Sequence, residues 1–217
     1  MLTRFGLAPR RPGMTVEAFQ AHWRSSHAAI IGRLPGVVRY WQNHAVLRDG
    51  RPVRGWPGFD ACSEIDAEDL AGFALMFSSD EYRGAGRADE ARFIDPTRGA
   101  ALLTTRTWTT GAPAGAPVRL LTFLRAAPGD GPARLAEALA ATPRAPGCTG
   151  RELFGALDAA TAGERAGGID LVESAWFEDL AAAERHLGTG ADRADGAPVS
   201  GLVVEARRLL CRVHVVV

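Results

Sequence analysis

One order of elements occurs twice in this chain. The segment Gly111-Ala-Pro-Ala-Gly-Ala-Pro117 alternates small residues with proline, which sustains neither a helix nor a strand ladder, and it divides the 217 residues near their middle. Before it, residues 2–7 read as a strand, and Thr15 opens a helix running to Leu34, where Pro35-Gly36 ends it. Strands follow at 37–47 and 59–65, helix at 69–77 and 79–87, and a fourth strand at 101–108. After the segment the same β-α-β-β-α-β order returns, with strands at 118–125, 150–157, 169–177 and 202–210 and helices at 132–141 and 180–187. Specific positions keep register: Pro35-Gly36 matches Pro146-Gly147, and Asp60 precedes Asp69-Leu70 as Asp170 precedes Asp179-Leu180.

Each half is therefore expected to be a ferredoxin-like unit, a four-stranded antiparallel sheet with helices on one face only. The bare faces need a partner. Two such sheets in one chain bury them against each other, so the fold class is α+β, two fused βαββαβ repeats forming an internal dimeric α+β barrel. The expected divisions are 1–110 for the first repeat, 111–117 for the linker and 118–217 for a degenerate second repeat.

Composition narrows the chemistry. The 25 basic residues balance the 25 acidic ones, which leaves no net positive field for nucleic acid or anionic lipid. Every basic residue is arginine, so Schiff-base lysines and the phosphate-loop lysine are both excluded. Cys62, Cys148 and Cys211 are odd in number and scattered, which encodes neither a disulfide framework nor a zinc knuckle and suits a reducing cytoplasm. The apolar run of the opening residues breaks too early for a signal peptide to be expected there, and no stretch approaches the ~20 apolar residues that span a bilayer. No nucleotide-binding glycine loop and no nucleophile elbow occurs.

The stretch Arg11-Pro-Gly-Met-Thr-x-Glu-x-Phe19, His22-Trp23 with His27, Leu34-Pro-Gly36 and Arg39-Tyr40-x-Gln-Asn-His44 resembles the opening of EthD-domain proteins, members of the dimeric α+β barrel superfamily. Phe59-Asp60 with Glu64, and Arg92-Phe93-Ile94-Asp95, resemble that family's later signatures. The likeness covers residues 2–108. The sequence departs from it at Glu64-Ile65-Asp66-Ala67, where the family commonly has Glu-x-Trp-Phe, although the second repeat keeps Trp176-Phe177. The second repeat has no counterpart of His27 or His44, so the resemblance implies at most one working pocket, in the N-terminal half.

Phe19, Trp23, His27, Ile30 and Leu34 step by three or four, and ideal helix geometry puts His27 about 40° from the centre of that stripe, pointing inward. An imidazole in a closed apolar pocket can take and return a proton. On the second strand, alternation groups Tyr40, Gln42 and His44 on one face and Arg39, Trp41 and Asn43 on the other, and either face can be the one that lines a cavity. Asp60, Cys62 and Glu64 share a face of the third strand, where a carboxylate can orient a histidine or close an ion pair with Arg39 or Arg92. His22 and His27, five apart, are rotated by about 140° on an ideal helix, which prevents joint chelation of a metal.

The expected function is a cofactor-independent acid/base enzyme, an isomerase, cyclase, dehydratase or lyase, acting on a hydrophobic carbonyl-bearing or aromatic small molecule such as a polyketide. His27, His44 and Tyr40 are the candidate catalytic groups; Trp23, Phe19, Trp41, Arg39, Asp60 and Glu64 are the candidate substrate-binding ones. No metal or other cofactor, nucleic acid or membrane is expected as a partner, while a further homodimer is compatible with the pattern. Two alternatives share the pocket: a non-catalytic binding protein serving an oxygenase, and a haem-binding barrel, since related barrels hold haem with a single histidine.

Overall fold

The computed structural model describes residues 1–7, 9–54, 59–111, 118–158, 168–188, 199 and 201–217. Most of the linker, residues 112–117, lies outside them. The strands are β1 (Leu2–Leu7), β2 (Arg39–Ala45), β3 (Leu47–Arg48), β4 (Arg51–Pro52), β5 (Ala61–Ala67), β6 (Ala100–Gly111), β7 (Val118–Ala126), β8 (Cys148–Ala156), β9 (Leu171–Phe177) and β10 (Val203–Val215). Eight of them form a closed barrel in the order β1-β5-β2-β10-β7-β9-β8-β6, and β3 and β4 make a small separate hairpin.

Each repeat contributes four consecutive barrel strands, β6-β1-β5-β2 and β10-β7-β9-β8, and every pairing is antiparallel. The fourth strand of each repeat is long because it serves both sheets. β6 pairs with β1 through Ala100–Thr104 and then with β8 through Thr104–Gly111. β10 pairs with β7 up to Cys211 and then with β2 from Cys211 to Val215. Closure removes the exposed edges that two free sheets would carry.

The repeat signatures have physical causes. Gly36 and Gly147 adopt φ of +83° and +75°, a region that disfavours side chains, and each sits against the helix that follows the third strand of its repeat. A Cβ on Gly36 would come within 2.3 Å of the Gly72 carbonyl oxygen, and one on Gly147 within 2.6 Å of the Ala182 Cβ. Asp69 and Asp179 cap those same helices, accepting from the Gly72 and Ala182 amides at 2.9 and 2.7 Å. Asp60 and Asp170 tie down the chain at the end of each first strand, through Arg10 and through the Ala126 amide. The ion-pair partner of Asp60 is thus Arg10, not Arg39 or Arg92.

One part of the barrel interior is apolar: Phe5, Leu102, Leu121, Phe123, Phe154, Val172 and Leu209 meet there, with Phe5 edge-on to Phe123 and Phe154. Another part is polar and is described below. Outside the barrel, the first repeat carries α1 (Val16–His22), a π-helical turn (Trp23–His27), α2 (Ala28–Ile31), α3 (Leu70–Ser78), a second π turn (Tyr82–Gly86) and α4 (Arg87–Phe93). The second repeat carries α5 (Gly131–Ala141) and α6 (Leu180–His186).

Candidate functional site

Thr15 caps α1 through its hydroxyl, which accepts from the Ala18 amide at 3.2 Å, and fixes which face of the helix turns to the sheet. Phe19, Trp23, His27 and Ile31 then follow at steps of four. In an α-helix that step drifts the face by about 40° each time. The wider π turn absorbs the drift, so Ile31 rather than Ile30 continues the buried stripe. These four side chains wall a cavity of about 550 Å³ between the first repeat's helices and the outer face of its sheet. Tyr40, Ser63 and Ile65 line its sheet side; Tyr82, Arg87, Glu90 and Phe93 line its far side.

His27 is buried in that wall, and its Nδ1 lies 3.0 Å from Oδ2 of Asp89 on α4. His22 contacts the other oxygen of the same carboxylate, Nε2 to Oδ1 at 2.9 Å. The ideal-helix expectation that His22 and His27 diverge fails here, because the π turn brings residues five apart onto one face. Since a carboxylate accepts, both ring nitrogens facing it carry hydrogen. That leaves Nε2 of His27 as a lone pair in a cavity-lining ring, with no hydrogen-bond partner among the described residues. Burial lowers the pKa of His27 below 6.5, Asp89 opposes this and His22 adds to it, so the ring is neutral at neutral pH.

Tyr40 projects from β2 to the helix side. Its hydroxyl accepts from Trp23 Nε1 at 3.0 Å and from Gln42 Nε2 at 2.9 Å. With its lone pairs occupied, what remains is the O–H as a donor. Gln42 also donates to the Trp23 carbonyl at 2.8 Å, which fixes its amide orientation and leaves Oε1 to accept from His44 Nε2 at 3.1 Å. Burial raises the pKa of Tyr40, so it stays a phenol.

His44 does not line the cavity. Its ring lies 4.6 Å from that of Trp23, which does, and its buried Nδ1 has no partner. Burial, with Arg24 and His214 adding, pushes its pKa down to about 3. Period-two alternation sends Arg39, Trp41 and Asn43 the other way, into the barrel. Glu64 points inward too: from β5 it reaches Arg119 on β7, and β2 and β10 separate those strands in the wall, so the contact crosses the interior. Arg39 binds Glu64 at 2.6 Å and Asp66 at 2.7 Å and lies over Trp41, which packs edge-on to Trp176. Asp60 precedes β5 and faces Arg10. Of the sequence-predicted site residues, then, the structure gathers His27, Tyr40, Trp23 and Phe19 around one cavity; it places Arg39, Trp41 and Glu64 across the sheet and Asp60 at its end.

Asp89 and Glu90 are the residues sequence reasoning missed. Adjacent acids on an amphipathic helix read as a solvated face, and a carboxylate partner for histidine was expected from the third strand. The second repeat lacks this arrangement. Arg151, which the Pro-Gly register aligns with Tyr40, folds beneath α5 to bind the Leu139 and Thr142 carbonyls and Glu173. Among the described residues no three His, Cys, Asp or Glu side chains cluster to hold a metal ion, and no helix is long and apolar enough to cross a membrane. His27 is the histidine among the described residues that line the cavity.

A closed barrel of two ferredoxin-like repeats with a histidine-bearing cleft under the first is an α+β barrel of the dimeric type, made within one chain. Residues 11–97, within the first repeat, match the model of the family described as EthD domain. No curated protein matches the chain. Among solved structures it is similar to an anthrone oxidase-like protein, at TM-score 0.71 and 12% identity over 99% of this chain and 93% of that one. It is also similar to a putative monooxygenase from Lactobacillus acidophilus NCFM, at TM-score 0.58 and 11% identity over 98% and 93%. A putative chlorite dismutase, TA0507, aligns at TM-score 0.56 and 8% identity over 99% and 96%. At such identities these likenesses establish the fold.

Proposed function

We propose that the chain is a cofactor-independent acid/base enzyme that moves a proton on a hydrophobic, carbonyl-bearing or aromatic small molecule. The observation that carries this is the cavity-lining ring of His27, whose Nδ1 is held by Asp89 so that its lone pair lies on Nε2. His27 takes a proton from carbon next to a carbonyl or its vinylogue, the C–H electron pair enters the π system, and the carbonyl oxygen becomes an enolate oxygen. Asp89 stabilises the imidazolium that forms. The Tyr40 O–H, polarised by its two N–H donors, meets the developing negative charge. Phe19, Trp23 and Phe93 give the apolar wall that such a substrate needs.

Anthrone, a tricyclic ketone with acidic methylene protons, is the probe suggested by the name of the anthrone oxidase-like neighbour. Under anaerobic conditions in D2O, NMR should show protein-accelerated deuterium uptake at the methylene carbon. His27→Gln should slow it by about 10²–10⁴-fold. Saturable binding without acceleration would replace this reading with that of a binding protein for an oxygenase. The His27 geometry also favours a second reading, haem ligation, in which Asp89 fixes the tautomer; a Soret shift on haem titration, lost in His27→Gln, is its test.

A further inference from the structure

Glu90 differs from five other buried or half-buried carboxylates among the described residues. Asp60, Glu64, Asp66, Glu152 and Glu173 are each matched to an arginine. Glu90 lines the cavity and has no ion-pair partner among the described residues. Its hydrogen-bond partner is the hydroxyl of Tyr82, at 3.1 and 3.4 Å to its two oxygens. Of the arginines in the cavity wall, Arg87 lies over the ring of Tyr82 at 5.3 Å. On α4 it directly follows Asp89, so one helix presents a carboxylate to His27 and a second carboxyl group to the cavity.

We propose that Glu90 is the acid of this cavity, a carboxylic acid that hydrogen-bonds to the ligand's carbonyl or phenol oxygen and protonates it during turnover. The proposal rests on the acid/base reading above and names the part of the substrate recognised, an oxygen that gains negative charge. Burial favours the protonated form of Glu90, and neighbouring Asp89 adds to this, against the pull of Tyr82, Arg87 and Arg4. A carboxyl group whose protonated form burial favours can donate to an enolate oxygen as charge develops there. The balance is complete. His27 gains the C–H proton, the electron pair moves through the π system to oxygen, and that oxygen takes the proton of Glu90. The product is the enol tautomer, with Glu90 left as a carboxylate hydrogen-bonded by Tyr82. Exchange with water removes the proton from His27 and returns one to Glu90.

The test uses 9-fluorenone carrying carbonyl ¹³C, a tricyclic ketone without an abstractable α-hydrogen, titrated into the whole protein and followed by NMR. Binding should displace the carbonyl resonance downfield, because donation to oxygen deshields the carbon. Glu90→Met should lose part of that displacement while still binding, and Glu90→Gln, whose amide still donates, should keep more of it than Glu90→Met. With anthrone, both variants should lose enol formation on the protein, since neither transfers a proton. A bound carbonyl resonance that Glu90→Met leaves in place overturns the assignment and leaves the His27 reading standing. Enol formation unchanged in Glu90→Gln overturns the protonation step. Absence of any saturable shift in the unaltered protein overturns both. Melting curves of the two variants establish that each is folded.

Discussion

Nδ1 of His27 and Oδ2 of Asp89 face each other at 3.0 Å from two different helices, and that contact fixes which nitrogen of the ring carries the lone pair. Asp89→Asn tests it. The asparagine side chain accepts through one atom and donates through the other, so it cannot accept from His22 and His27 together. One of the two rings must change tautomer or lose its bond. Deuterium uptake by anthrone should fall by about 10–100-fold, the usual cost of losing a residue that orients a reacting histidine. ¹⁵N chemical shifts of the His27 ring, which separate the tautomers, check the cause directly.

How much of this was legible in the sequence follows from what each pattern encodes. The repeat was, because Gly36 and Gly147 need a left-handed backbone and Asp69 and Asp179 need to cap, and those demands admit few residue types. His27 was legible through its place on an apolar stripe. The face of β2 was not, since Tyr40 and Trp41 are equally plausible wall residues and only barrel closure decides that Trp41 meets Trp176 inside. Asp89 escaped for another reason. It reaches His22 and His27 through the π turn, an insertion in the helical repeat that leaves no mark in apolar spacing at steps of four.

The buried, neutral state of His44 makes stability depend on pH. Its pKa is about 3 in the fold against 6.5 unperturbed, so between those values the unfolded chain binds a proton that the folded one does not. The contribution is fully present above pH 6.5 and is lost as pH falls toward 3. The slope is about 1.4 kcal/mol per pH unit. His27, also lowered, acts in the same direction over a narrower window. His44→Phe keeps a ring beside Trp23 and removes the titration. Urea unfolding at a series of pH values should show a shallower acid limb for the variant than for the unaltered protein.

Arg119 crosses the barrel to join the repeats. Fully buried, it binds Glu64 of the first repeat, donates to Ser174 of the second at 2.7 Å and to Asn43 at 3.1 Å, and lies over Trp176. Glu64→Gln removes the nearer of that guanidinium's two carboxylates, leaving Glu152 at 3.7 Å, and breaking a buried pair in this way costs about 3–5 kcal/mol. Denaturant midpoints should fall accordingly. Ligand binding in the cavity should be preserved at temperatures where the variant is folded, because Glu64 lies on the other face of the sheet from the Tyr40 hydroxyl. A loss of fluorenone affinity without a loss of stability would contradict this division of the sheet into a structural and a functional face.

Tyr40→Phe separates the phenol's role in the reaction from its role in the wall. The ring, which fills the space beneath Trp23, is retained; the hydroxyl is removed, and the Trp23 N–H loses its acceptor while Gln42 keeps its bond to the Trp23 carbonyl. Leaving a buried donor unpaired costs about 1–3 kcal/mol of stability. If the O–H meets the enolate oxygen, the rate of deuterium uptake should drop by about 10²–10³-fold, the range for removing one donor to a developing oxyanion. Binding of fluorenone should weaken far less, since the ground-state carbonyl carries little negative charge. A variant that loses affinity and rate in equal proportion would instead assign Tyr40 to the shape of the cavity, leaving the charge of the enolate to other donors.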